Sequence, residues 1–273
     1  MSKNLLTLIM GPCAIESEHT ALSTAIMLED IERNLNKRIA PHKIEIVYKS
    51  CFHKANRTSA ASFHGIGLSK GKQILDLVKK ETGLRVTSDV HTPEEAQQMG
   101  DVLDIIQIPQ SLSRYTSVIL EAASVASRMG TMVSLKKGVF MGPTELKGAF
   151  AKLNTLLPRD KIILIERGNK FGYNDIIVDF LNIKTMNELG AISCIDASHP
   201  ARSRENVIQL ARAGIAMGAD SVFMEVHPKP DLALCDGKTS LVLDESLEAT
   251  LLTLIELKLF NNTHKETGSF LFN

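Results

Sequence analysis

Thr131-Met132-Val133-Ser134-Leu135, Lys161-Ile162-Ile163-Leu164-Ile165, Ala191-Ile192-Ser193-Cys194-Ile195 and Ser221-Val222-Phe223-Met224-Glu225-Val226 are short runs rich in β-branched residues and leucine. Amphipathic helical patterns near residues 144–154, 179–189 and 204–217 separate them. The runs are nearly continuous in apolar character rather than alternating, as expected of parallel strands covered on both faces. The same alternation continues outward. Toward the N-terminus lie strand-like runs at 5–10, 44–48, 84–87 and 102–108, with helical patterns near 18–37, 69–81, 93–99 and 114–129. Toward the C-terminus a helical pattern occupies 245–259. Eight strands alternating with eight helices in 273 residues predict an α/β fold, a single (β/α)8 TIM barrel spanning residues 1–273.

Composition narrows the function classes. Lys and Arg total 31 against 31 Asp and Glu, so the chain is formally neutral, and a duplex-wide phosphate-binding surface is not expected. No nucleic-acid partner is predicted. No run approaches the ~18 apolar residues of a membrane span, and the run at 5–10 is too short for a secretory segment. We therefore expect no membrane partner and a soluble, cytoplasmic chain. The four cysteines, Cys13, Cys51, Cys194 and Cys235, contain no CxxC pair, so neither a disulfide framework nor a structural zinc site is indicated. Cys51, Cys194 and Cys235 read as packing residues. One connection stands out: residues 49–68 form a patternless stretch longer than the ~12–15 residues beyond which loops are commonly functional, and it carries Lys49, Lys54, Asn56, Arg57, Thr58 and Ser59.

In such barrels the C-terminal strand ends and the loops after them build the active site. After the successive strands come Cys13 and Glu16; Lys49, Lys54, Asn56 and Arg57; Asp89 and His91; Gln107 and Arg114; Lys136 and Lys137; Glu166 and Arg167; Asp196 and His199; and Glu225, His227 and Asp236. Focusing so many cations in one cleft of a neutral protein suits a phosphorylated, polyanionic small molecule, with Arg gripping phosphate or carboxylate in bidentate fashion. Individual lysines have a plainer reading, as ion-pair partners of rim carboxylates such as Asp89 and Glu166. A second constellation, Cys13, His199, Glu225 and Asp236, converges because the eighth strand neighbours the first in a closed barrel. One thiolate, one imidazole and two carboxylates suit a divalent metal ion such as Zn, Fe or Mn. Taken singly, Cys13 reads as a small buried residue and His199 as a hydrogen-bonded loop histidine.

These residues carry a family resemblance. Gly11-Pro12-Cys13-Ala14-Ile15-Glu16-Ser17, Lys54-Ala55-Asn56-Arg57-Thr58-Ser59, Asp89-Val90-His91, Gln107-Ile108-Pro109, Lys136-Lys137-Gly138, Glu166-Arg167-Gly168, Phe171-Gly172-Tyr173-Asn174, Asp196-Ala197-Ser198-His199, Phe223-Met224-Glu225-Val226-His227-Pro228 and Asp236-Gly237-Lys238 stand in order along the chain. Together they resemble the 3-deoxy-D-manno-octulosonate 8-phosphate synthases, within the group that includes the 3-deoxy-D-arabino-heptulosonate 7-phosphate synthases. The Lys-Ala-Asn-Arg-Thr-Ser segment is similar to the octulosonate enzymes. The resemblance implies condensation of phosphoenolpyruvate with D-arabinose 5-phosphate, as used in lipopolysaccharide biosynthesis. It implies that Lys49, Lys54, Gln107, Lys137 and Arg167 hold phosphoenolpyruvate, and that Asn56, Arg57, Thr58 and Ser59 hold the sugar phosphate. Arg114 would reach that phosphate across a subunit interface, implying a homo-oligomer, a tetramer. Cys13, His199, Glu225 and Asp236 match the metal-dependent branch; an Asn replaces the Cys in the other. Lys54, Asp89, His91, Lys137 and Arg167 are the catalytic candidates.

The chain departs from the family pattern at Gln110-Ser111, at Arg114-Tyr115-Thr116-Ser117, at His53 and in the short connection from Pro200 to Arg204. Two alternatives follow. One is a synthase for another aldose phosphate, such as erythrose 4-phosphate, and an aldose panel discriminates it. The other is a non-catalytic phosphosugar-binding barrel, which would bind both substrates without releasing phosphate.

Overall fold

The computed structural model describes residues 4–57, 59–172 and 175–267. Parallel strands β1 (Leu6–Gly11), β2 (Ile44–Lys49), β3 (Arg85–Asp89), β4 (Ile105–Ile108), β5 (Met132–Lys136), β6 (Ile162–Glu166), β7 (Ile192–Asp196) and β8 (Ser221–His227) pair in sequence order. The ring closes where β1 pairs with β8, setting Met10 opposite Met224 and Gly11 opposite Glu225. Helices α1 (Glu18–Arg38), α2 (Leu68–Thr82), α3 (Pro93–Met99), α4 (Thr116–Met129), α5 (Pro143–Asn154), α6 (Leu181–Glu188), α7 (Arg204–Ala216) and α8 (Glu245–Thr267) follow the strands. The predicted (β/α)8 barrel is the observed one. Among the described residues no helix is long and apolar enough to cross a membrane.

Local chemistry sets the helix ends. Ser17 caps α1 by accepting from the Thr20 amide, and Lys37 and Arg38 sit in its last turn, where cations complement the helix dipole. Thr92 caps α3 ahead of Pro93. Gly130 ends α4 at φ 71°, a left-handed conformation that strains side chains other than glycine.

Two packed layers follow from the strand period of two. Ile9, Val47, Ile105, Met132, Ile163, Ile165, Cys194 and Phe223 fill the barrel interior. Alternate residues such as Leu8, Met10, Ile46, Leu135, Leu164 and Val222 face outward into the larger core under the helices. Burial pushes the Cys194 thiol up to about 12, the behaviour of an inert packing residue, as its sequence position suggested.

Most differences from the predicted bounds lie at strand ends. Lys49, Asp89, Lys136, Glu166, Asp196 and His227 continue the ladders by a residue or two; charged side chains obscured these ends, although they sit there because the strands open onto the barrel mouth. The fourth strand begins at Ile105 rather than 102, because the Val102 and Leu103 amides still bond to the Met99 carbonyl at the close of α3. The two-residue strand β9 (Leu241–Val242), absent from the sequence reading, pairs with Val226 and His227 of β8. It returns the chain after the Asp236 loop to the barrel.

At Gly11 a Cβ would lie 2.0 Å from the Lys49 carbonyl oxygen, so the close approach of β1 to β2 needs glycine. Gly11→Ala is expected to destabilise the fold by about 2–4 kcal/mol, measured by denaturant unfolding; unchanged stability would contradict this packing.

Candidate active site

The period that fills the interior with Val47, Ile105, Ile165, Cys194 and Phe223 also dictates what points inward two residues later. Those residues are Lys49, Gln107, Arg167, Asp196 and Glu225. Asp89 and Lys136 end their strands on the same side. All are buried or partly buried, and all but Arg167 have partners within this set across the barrel. Lys49 Nζ lies 2.8 Å from Glu225 Oε1, and Gln107 donates to Asp89 Oδ1 at 2.6 Å. Lys136 Nζ is 3.2 Å from Asp196 Oδ2 and stands 3.7 Å from the centre of the Phe223 ring.

Above this layer opens a cleft of about 200 Å³ lined by Lys54, Asn56, Arg57, Asp89, Pro109, Gln110, Lys136, Arg167, His199, Cys235 and Asp236. Four cations thus face one space. Burial opposes the charge on Lys54, but Cys13, Cys51, Asp89 and Cys235 around it outweigh burial and hold its pKa well above the ordinary lysine value. Burial likewise opposes the charge on Asp89, yet Lys54, Lys49 and Lys136 hold its carboxyl below the usual range. Both stay charged near neutral pH. The Nε atoms of Arg57 and Arg167 are buried without hydrogen-bond partners, two donors left open at an anion-sized cleft.

The 49–68 connection is irregular but pinned. Phe52 is wholly buried, and the Lys54 amide bonds to the His64 carbonyl while the Gly67 amide bonds to that of Phe52. This anchoring aims Lys54, Asn56 and Arg57 across the mouth. Arg57 reaches the far wall, with Nη1 2.8 Å from Cys235 Sγ and Nη2 3.3 Å from the Leu234 carbonyl.

Barrel closure collects the predicted ligating group. Cys13 Sγ lies 2.8 Å from Asp236 Oδ2. His199 Nε2 is 3.9 Å from both Glu225 Oε1 and Asp236 Oδ2. Cys13, Cys235 and Asp236 form one potential metal-holding trio and His199, Glu225 and Asp236 another, sharing Asp236. Glu225 Oε2 is buried with no hydrogen-bond partner, an acceptor whose desolvation an ion would offset. The donor set fits a divalent transition metal. Asp196 fixes the imidazole: its Oδ1 lies 3.0 Å from His199 Nδ1, so Nδ1–H is donated and Nε2 is left as a lone-pair donor. Burial pushes the His199 pKa down despite Asp196, which favours the neutral, ligating imidazole. Burial, with the hydrogen bond that the Cys13 thiol donates to Cys235 Sγ, pushes the Cys13 thiol up, so metal binding there would release a proton.

The structure brings together Cys13, Lys54, Asn56, Arg57, Asp89, Arg167, His199, Glu225 and Asp236, and separates others. Lys137 does not line the cleft. Facing outward from β5, its Nζ bonds to the Gly168 carbonyl at 3.1 Å and to Asn169 Oδ1 at 2.7 Å, and sits 3.6 Å from Glu166. The lysine that lines the cleft is Lys136, whereas the resemblance implied Lys137 for phosphoenolpyruvate. Lys49 and Gln107 lie beneath the cleft, holding Glu225 and Asp89. His91 packs beside the mouth with Nδ1 3.1 Å from Glu95. Arg114 and Ser59 are exposed away from it, and Thr58, Tyr173 and Asn174 lie outside the described residues. Sequence reasoning counted Lys136 among the cations of the cleft and Asp196 among the strand-end groups without giving either a specific role, set Cys235 aside as a packing residue, and named Gln110 only as a departure from the family pattern. Inward strand parity marks the first two; Cys235 is marked only by adjacency to Asp236, and no signal marked Gln110.

A family model described as the DAHP synthetase I family matches residues 2–258. The chain is similar to proteins named 2-dehydro-3-deoxyphosphooctonate aldolase. It is 41% identical over 264 residues to that of Desulfatibacillum aliphaticivorans, covering 93% of this chain and 92% of the relative. It is 40% identical over 251 residues to that of Syntrophotalea carbinolica, covering 88% and 86%. The protein of that name from a Synechococcus species is 39% identical over 264 residues, covering 93% and 88%.

Proposed function

The chain belongs to the DAHP synthetase I family, and we propose that it condenses phosphoenolpyruvate with D-arabinose 5-phosphate to give 3-deoxy-D-manno-octulosonate 8-phosphate and inorganic phosphate. Carbon arithmetic selects the aldose: three carbons and five make the eight-carbon acid in the relatives' name, whereas a four-carbon aldose would make a heptulosonate. The observation that carries the reading is the convergence of Lys54, Arg57, Lys136 and Arg167 on one cleft.

In this reaction the enol carbon of phosphoenolpyruvate attacks the aldehyde, whose oxygen takes up a proton. Positive charge develops at the adjacent carbon, water adds there, and phosphate leaves. Lys54, Lys136 and Arg167 neutralise the phosphate and carboxylate of phosphoenolpyruvate. Arg57 and Asn56, at the outer rim, take the aldose phosphate, so that two repelling anions come within bonding reach. Asp89, ionised and held between Gln107 and the lysines, keeps Lys54 in place. His91, oriented by Glu95, is the proton-transfer candidate. Cys13, His199, Glu225 and Asp236 would hold a divalent ion, Zn, Fe or Mn, which supplies Lewis-acid polarisation of the aldehyde or of water. Exposed Arg114 and Tyr115 fit a contact with another copy of the chain, and we propose a homotetramer, to be checked by light scattering. Phosphorylated substrates do not cross membranes unaided, which favours a cytoplasmic location and a place in lipopolysaccharide biosynthesis.

Phosphate release from phosphoenolpyruvate with a panel of aldose phosphates tests the proposal. Arabinose 5-phosphate is expected to be preferred; preference for erythrose 4-phosphate would overturn the choice of aldose, and binding of both substrates without phosphate release in added Mn or Zn would overturn catalysis. Arg57→Ala is expected to raise KM for the aldose phosphate by about 10–100-fold, the weight of a charged hydrogen-bonded contact, with KM for phosphoenolpyruvate changing far less. Equal losses for both would refute the role of Arg57.

A further inference from the structure

Beside the cleft, three segments bring a second set of ligating side chains together: His53 from the connection after β2, His91 from the loop after β3, and Glu95 from the first turn of α3. His91 Nδ1 lies 3.1 Å from Glu95 Oε2, and His53 Nδ1 lies 3.7 Å from Glu95 Oε1. The two rings stand 5.0 Å apart at 66°. One donor atom from each of the three residues lies within 4.8 Å of the other two. Metal bonds of ~2.0–2.2 Å at near-tetrahedral angles separate neighbouring donor atoms by roughly 3.3–3.5 Å, and the two imidazole-to-carboxylate spacings, one to each oxygen of Glu95, fall on either side of that range.

The cluster is built rather than incidental. His53 is tied down by a bridge to Gly65, and Glu95 is held by its amide bond to Thr92 Oγ1 and by the His91 amide on Oε2 at 2.6 Å. Among the described residues no lysine or arginine forms an ion pair with Glu95; its partners are the two imidazoles. The plainer reading, a carboxylate bridging two histidines by hydrogen bonds, accounts for His91 at 3.1 Å but leaves His53 at 3.7 Å, beyond hydrogen-bond range. His53 is 42% exposed while His91 and Glu95 are largely covered, so the site is anchored on one side and open to water on the other.

We propose that His53, His91 and Glu95 form a second divalent transition-metal site, distinct from that of Cys13 and its partners. Two imidazoles and one carboxylate suit Zn, Co, Ni or Cu over Mg, and open positions remain for water or an anionic oxygen. An ion there withdraws His91 from proton transfer, so metal above the first equivalent slows the enzyme.

Cobalt(II) titration of full-length, metal-stripped protein tests this. The wild-type chain is expected to take two ions, His53→Ala one ion with thiolate-to-cobalt charge-transfer absorbance, and Cys13→Ala one ion without it. Inhibition by excess metal is expected to disappear in His53→Ala. A single ion in the wild type that His53→Ala still binds, or two ions still bound by His53→Ala, would overturn the second site. Should the charge-transfer band be missing from every protein while a His53-dependent ion persists, the Cys13 site fails and this one stands.

Discussion

Stripping the protein with a strong chelator is expected to lower turnover by about 10²-fold or more, and added Zn, Mn or Fe(II) is expected to restore it. The argument rests on what converges where β1 meets β8. Without a cation, Glu225 keeps one buried oxygen unpartnered, and Cys13 Sγ stands 2.8 Å from Asp236 Oδ2. A structural purpose alone does not explain the orphaned acceptor, since Lys49 already satisfies the other oxygen of Glu225. Cys13→Ala removes the softest donor and leaves imidazole and carboxylates, so metal affinity is expected to fall by at least about 10²-fold, read by competition with a chromophoric chelator. That readout is independent of turnover. Full activity in chelator, or undiminished metal affinity in Cys13→Ala, would sink the assignment.

How far the molecule could be read from its residues depended on which period carried the information. Apolar runs spaced by amphipathic stretches reveal a barrel because burial on both strand faces leaves few ways to order them. Its closure in turn made it possible to join Cys13 to residues more than 200 positions away without any local motif. Strand ends were harder, since charged residues at a barrel mouth mimic loop residues. The parity error at Lys136 and Lys137 has the same origin. Counting inward residues from Met132 would have separated them, but the predicted strand stopped at Leu135, before the position that mattered. Cys235 escaped because nothing in the spacing of cysteines shows that a 3-10 turn and β9 fold the Asp236 loop back over Cys13. In the sequence His53 stands out only as a departure from the family pattern, because its partner Glu95 lies 42 positions on, across an irregular connection.

The adjacent lysines give the other large expected effect, and the sharpest one. Lys136→Ala is expected to lower kcat/KM for phosphoenolpyruvate by about 10²-fold, equivalent to about 2.7 kcal/mol, because it removes an inward charge from the cleft and the ion-pair partner of Asp196. Lys137→Met acts elsewhere. Its ammonium and Glu166 lie between the barrel and the helices, Glu166 also accepting from Asn182 of α6 at 2.9 Å. Burial pushes Lys137 down and Glu166 up, so both are biased toward neutrality and the pair is held by geometry more than by charge. Removing one partner is therefore expected to destabilise the fold by about 3 kcal/mol, the lower end for a broken buried pair, while kcat/KM of the folded protein changes less than about threefold. Unfolding midpoints and kinetics measured on both variants separate the two roles. Loss of phosphoenolpyruvate affinity in Lys137→Met, with Lys136→Ala unaffected, would mean that strand parity fails at the mouth of β5 and that the family motif reads correctly there.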